Sequence, residues 1–141
     1  MIRTFGLLLV VALAGFASAQ EKDPPKPRTE VAFAIPLDKA DKVAAKAGKW
    51  NEPNPISSVD DLTKLVGEAA VRKKILDAVD FKTHVLLIFS WTGSGKDVIE
   101  AKVVDETSDE VRFSLTPGAT DDKREHVQLF AVKKETRWIA K

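Results

Sequence analysis

Apolar and polar residues alternate without a break along Val111-Arg112-Phe113-Ser114-Leu115-Thr116. That period of two predicts a strand with Val111, Phe113 and Leu115 facing inward. Residues 84–91, H-V-L-L-I-F-S-W, are nearly all apolar, as expected of a central strand covered on both faces. Residues 126–133 and 137–140 predict two further strands, and 98–104 alternates less cleanly. Val31, Phe33 and Ile35 sit at strand spacing ahead of Pro36, which suits a short strand at a sheet edge.

Between these segments the period is helical. Ser57 or Ser58 is placed to cap a helix whose first turn holds Asp60 and Asp61, with Val59, Leu62, Leu65 and Val66 as its apolar stripe. Gly67 is placed to end it. A second helix over 68–79 turns Ala70, Val71, Ile75, Leu76 and Val79 inward and leaves the basic run 72–74 solvated. A weaker helical stripe covers 38–48, and Pro53 and Pro55 predict a loop over 50–55. Connections 92–97 and 105–110 are of hairpin length, so consecutive strands are expected to pair antiparallel. The expected class is α+β: two short helices preceding, and packed on, a small four- to five-stranded antiparallel sheet. A half-open β-barrel is the alternative.

The N-terminus alters where this fold is expected to work. Arg3, the apolar run 5–16 and Ala17-Ser18-Ala19 fit a secretory signal peptide over 1–19, removed before Gln20. The run is shorter than the ~20 residues that span a bilayer, so no membrane span is expected after cleavage. Residues 20–29, Q-E-K-D-P-P-K-P-R-T, read as a charged, proline-rich tether. Residues 30–141 then form one domain. The expected location is the periplasm or the exterior.

Composition removes several classes of chemistry. The 141 residues carry 22 Lys plus Arg and 21 Asp plus Glu. Arg3 is the sole charged residue of the signal, so the remainder is balanced, and the basic surplus typical of nucleic-acid binding is missing. Cysteine is absent, which excludes thiol catalysis, cysteine-ligated metals and disulfide stapling.

Trp91-Thr92-Gly93-Ser94-Gly95-Lys96-Asp97 is the segment closest to a motif. A phosphate loop would need glycine where Ser90 stands and Ser or Thr where Asp97 stands. A nucleophile elbow needs G-x-S-x-G, whereas Ser94 has glycine immediately on each side. The plain expectation is that Gly93 and Gly95 supply positive φ in a tight turn, with Asp97 accepting backbone hydrogen bonds. Ser94, His126 and Asp97 make a hydrolytic triad only if the fold gathers them. His84 and His126 with a carboxylate would be the corresponding metal site. Asp121-Asp122 lacks the alternating carboxylates of a calcium loop, and Lys123 and Arg124 oppose a cation. No cofactor or metal is therefore expected. Of the tryptophans, Trp91 and Trp138 suit a core, while Trp50 suits core or surface.

The runs V-D-F-K-T-H-V-L-L-I-F-S-W-T-G-S-G-K-D (79–97), V-R-F-S-L-T-P-G-A-T (111–120) and H-V-Q-L-F-A-V-K-K (126–134) resemble a group of small exported bacterial proteins of unknown function. That group carries a W-[ST]-G-S-G-x-D hairpin. More distantly, the pattern is similar to the C-terminal domain of the B-type member of a bacterial protease complex. That second resemblance implies an accessory module in place of an enzyme, and it transfers no site residues. The leading expectation is a secreted, non-catalytic module contacting a protein, peptide or envelope glycan. Its contact surface would be the 91–97 hairpin and the 117–126 loop, if both emerge at one end of the sheet, with Trp50, Trp91, Thr92, Gly93, Ser94, Gly95, Lys96, Asp97, Asp121, Arg124 and His126 as the contact residues. The alternatives are a small secreted hydrolase or metal-binding protein using Ser94, His126 and Asp97, and a purely structural envelope protein. Oligomeric state is not legible.

Overall fold

The computed structural model describes residues 30–38, 41–43, 49–104 and 109–141. The expected signal peptide and tether, 1–29, lie outside them. In chain order the elements are β1 (Ala32–Ile35), β2 (Asn54–Ile56), α1 (Val59–Leu65), α2 (Ala69–Ala78), β3 (His84–Ser94), β4 (Val98–Val103), β5 (Glu110–Thr116), β6 (Lys123–Lys133) and β7 (Arg137–Ala140). The class is α+β, as the sequence predicts. The strands form two sheets where one was expected, and neither closes into a barrel: β1-β6-β3-β2 and β4-β5-β7.

The nearly continuous apolar run of β3 explains the layering. Leu86 and Ile88 face one way, with Leu129 and Ala131 of β6 beside them. They pack with Phe33, Ile35, Leu62, Val66, Val71, Ile75 and Val79, the buried sides of β1 and the two helices. Leu87, Phe89 and Trp91 face the other way, with Phe130 and Val132, onto Ile99, Val111 and Phe113 of the smaller sheet. At the centre of that second core Phe89 lies 4.8 Å from Phe113 and 5.6 Å from Phe130, ring to ring. The four-stranded sheet is thus the middle of three layers, and its central strand is buried on both faces for that reason.

The partnering of β3 corrects the expected hairpin. β3 pairs with β6 along its whole length, from His84 opposite Lys133 to Ser94 opposite Lys123, while β4 pairs with β5. Residues 95–97 therefore carry the chain from one sheet to the other and do not reverse it within one. Among the described residues no glycine has positive φ, so the turn role expected of Gly93 and Gly95 is not the one they play. The segment joining β4 to β5 does turn an antiparallel pair, as expected, although 105–108 lie outside the described residues. β7 joins β5 in parallel.

Smaller corrections have local causes. Pro55 sits within β2, where a loop was expected; β2 is an edge strand, and an edge tolerates a residue with no amide donor. Ser58 caps α1 by accepting from Asp61 N at 3.1 Å. The helix ends without help from Gly67: Val66 turns extended, and Arg72 of α2 donates to the Val66 and Gly67 carbonyls at 2.8 and 2.7 Å. The run 72–74 is accordingly not a uniformly solvated face. Lys74 also turns back, bonding Asp38 and Asp41 at 2.8 and 2.9 Å. In α2, Val71 and Ile75 are buried and Val79 follows, but Ala70 is exposed and Leu76 is 40% exposed; Val59, expected in the stripe of α1, is 46% exposed. The helix expected over 38–48 falls partly outside the described residues, and 41–43 are not helical. No helix among the described residues is long and apolar enough to cross a membrane.

Candidate functional site

Beyond the last pairings of β1 and β2, β3 and β6 continue together as a two-stranded ribbon over 90–94 and 123–127. At its tip two connections between the sheets meet: 95–97, leading into β4, and 117–122, leading out of β5. Asp97 fastens them. Its Oδ1 accepts from Gly118 N at 2.7 Å; its Oδ2 accepts from Ser94 N at 3.0 Å and from Trp91 Nε1 at 3.3 Å. The Gly118 amide, with the indole and Ser94 amide behind it, holds the Asp97 carboxyl below its ordinary 3.8, against the opposing effect of desolvation.

A second set of contacts repeats the tie. Ser94 Oγ donates to the Thr120 carbonyl at 2.8 Å, accepts from Thr120 N at 3.2 Å, and lies 2.7 Å from Thr120 Oγ1. Gly95 N donates to the Asp122 carbonyl at 2.9 Å. The Thr120 hydroxyl and then the Arg124 guanidinium hold the Asp122 carboxyl low.

The glycines are needed for space. A Cβ on Gly93 would collide with Oδ2 of Asp97, and one on Gly118 would lie 2.7 Å from the backbone carbonyl carbon of Lys96. Side chains at these positions would part the strands that Asp97 joins.

His126 stands opposite Trp91 in the ribbon, and the two rings stack at 4.8 Å and 13°. Its Nε2 lies 2.7 Å from the Ser94 carbonyl, an oxygen that only accepts, so this nitrogen carries the proton and donates. Ser94, His126 and Asp97 are therefore neighbours without the relay of a triad. The Ser94 hydroxyl is engaged by Thr120, and the imidazole proton is committed to a carbonyl.

The two-histidine metal site is not assembled. His84 lies on the helix side, its ring 5.7 Å from Phe33 and its Nε2 3.3 Å from the Glu30 carbonyl. His126 lies on the other face at the far end of the ribbon. Among the described residues no group of three or more metal-ligating side chains gathers.

The expected contact residues thus divide. Thr92, Lys96, Asp121 and Arg124 are exposed around the tip; Gly93, Ser94, Gly95, Asp97 and His126 form its half-buried framework. Trp91 is 3% exposed and offers no ring face outward. Trp50 is half-buried against the second core, as is Trp138. Sequence reasoning placed Gly118, Thr120 and Asp122 in the 117–126 loop but gave them no part in joining it to 91–97. The available signal was the glycine in T-P-G-A-T, since an isolated glycine at a strand end marks close backbone approach. No family model, curated protein or solved structure matches this chain.

Proposed function

We propose that this chain is an exported, non-catalytic binding or accessory module of the cell envelope, contacting a protein, peptide or envelope glycan through the ribbon tip. The observation that carries this reading is the Asp97 clasp, which unites segments from two sheets through bonds made within the chain itself. A surface fixed in advance loses less conformational entropy on association. Exposed Thr92, Lys96, Asp121 and Arg124 supply both charge signs around that fixed frame. The commitment of Ser94 to Thr120 and of His126 to a carbonyl favours binding over hydrolysis. The resemblance to small exported proteins bearing W-[ST]-G-S-G-x-D supports the same reading, as does the leader-like stretch 1–19.

Two measurements test it. Fractionation of expressing cells, with N-terminal sequencing, is expected to recover a form beginning at Gln20 outside the cytoplasm; an uncleaved cytosolic chain overturns export. Immobilised 20–141 is expected to retain an envelope component that the triple variant Lys96→Ala, Asp121→Ala, Arg124→Ala does not. Equal retention by both, or none by either, overturns the contact surface.

A further inference from the structure

β4 is an outer strand of the smaller sheet. Val104 N donates to Glu110 O across the β4–β5 pair, so the even-numbered residues of β4 direct their amides to β5. Alternation then sends the amides and carbonyls of Ile99, Ala101 and Val103 to the free edge. Ile99 N is taken by Gln128 Oε1 at 2.6 Å, while Ala101, Lys102 and Val103 are exposed. Val98, Val103 and Val104 are among the most exposed large apolar side chains described, at 44%, 41% and 38%. An edge of this kind is a template for another strand.

The sequence of the edge selects the occupant. Written about Ala101, V-I-E-A-K-V-V is self-complementary when read against itself in the antiparallel sense. Val98 falls opposite Val104, Ile99 opposite Val103, and Glu100 opposite Lys102. Glu100 and Lys102 have no ion-pair partner among the described residues. Lys102 moreover faces Arg112 across β4–β5; Arg112 is paired with Glu110, and a further carboxylate would balance Lys102.

We propose that two copies of this chain associate through β4 about a twofold axis at Ala101, forming one continuous sheet through both. The Ala101 residues exchange their amide–carbonyl bonds. Each Ile99 exchanges its amide–carbonyl bonds with Val103 of the other copy, Gln128 giving up the Ile99 amide that it holds in the single copy. Each Glu100 neutralises the other copy's Lys102, and the exposed valines cover one another. Such a twofold contact is isologous and closes at a dimer.

The test is sedimentation equilibrium of the 20–141 chain. The wild type is expected to dimerise, and Glu100→Lys and Lys102→Glu are each expected to weaken association by about tenfold or more. The double exchange Glu100→Lys, Lys102→Glu is expected to restore it. Ala101→Pro removes an outward amide that the monomer does not use and is expected to leave a folded monomer. Lys102→Glu also sets a carboxylate opposite Arg112, so its monomer should melt no lower than the wild type at low concentration. A wild type that stays monomeric at millimolar concentration, or a double exchange no better than the single changes, overturns the proposal.

Discussion

The β3–β6 pair is held in two different ways at its two ends. Near His84 to Phe89 it lies between helices and a second sheet, and burial of side chains such as Leu86, Leu87, Ile88 and Phe89 fixes it. Past Ser90 the helices and the short edge strands have ended. There the same two strands are fixed by carboxylates: Asp97 and Asp122 receive backbone amides from Ser94, Gly118 and Gly95. The apolar end needs only the right volume and pattern, and it tolerates chemically similar replacements. The polar end needs particular atoms at particular distances. In a chain without cysteine, it performs the joining of loops for which many small exported domains use disulfides.

Phe89→Ala should separate the two ends most strongly. It removes the ring between Phe113 and Phe130 and is expected to cost about 3–5 kcal/mol in chemical denaturation. Ribbon-tip contacts should persist in whatever remains folded, as amide exchange at Gly118 would report. Gly118→Ala drives a methyl group against the Lys96 backbone and is expected to cost about 1–3 kcal/mol. A loss below about 0.5 kcal/mol would mean the tip yields more readily than the clasp implies.

Asp97→Asn tests the charge of the clasp. The carboxyl sits below its ordinary 3.8 in the folded chain, so its stabilisation is complete above that value and disappears as pH falls through the lowered one. The variant should melt lower at neutral pH, and the difference in melting temperature should narrow as the pH drops below 3.8. A gap independent of pH would show that geometry alone, not charge, fastens the tip. Lys73→Ala, which breaks an exposed pair with Asp77 on α2, should change stability by no more than about 0.5 kcal/mol.

How far each end was legible follows from the same contrast. Burial leaves a periodic trace, so the alternation at 111–116, the doubly covered run at 84–91 and the short strand at 137–140 were all readable. Partner choice leaves none. The short link 95–97 looks like a reversal, and only competition from eleven matched residues of β6 takes β3 away from β4. Leu76 carried a core-like side chain at an inward period and still ended 40% exposed, in a surface groove with Val59 and Phe81. At the tip, Asp97 was readable as an acceptor of backbone bonds, while the meeting of the 91–97 and 117–126 loops was only a condition of the expected contact surface. Gly118 and Asp122 were not readable as their counterparts, since no spacing in the chain links 97 to 118 or 95 to 122. The glycines were legible as special, but for the wrong reason, a left-handed turn in place of tight packing.

β6 is the neighbour of both β1 and β3, and this constrains the order of assembly. A chain released from its N-terminus cannot complete the middle layer until residue 133 is free, because the strand that closes it is made almost last. Until then the apolar run beginning at Val85 has only the three-residue β2 to join, and the helices that would shield it have little firm beneath them. Maturation should consequently be slow relative to a helical bundle of this size and concerted near its end, with little protected structure in nascent chains shorter than that length.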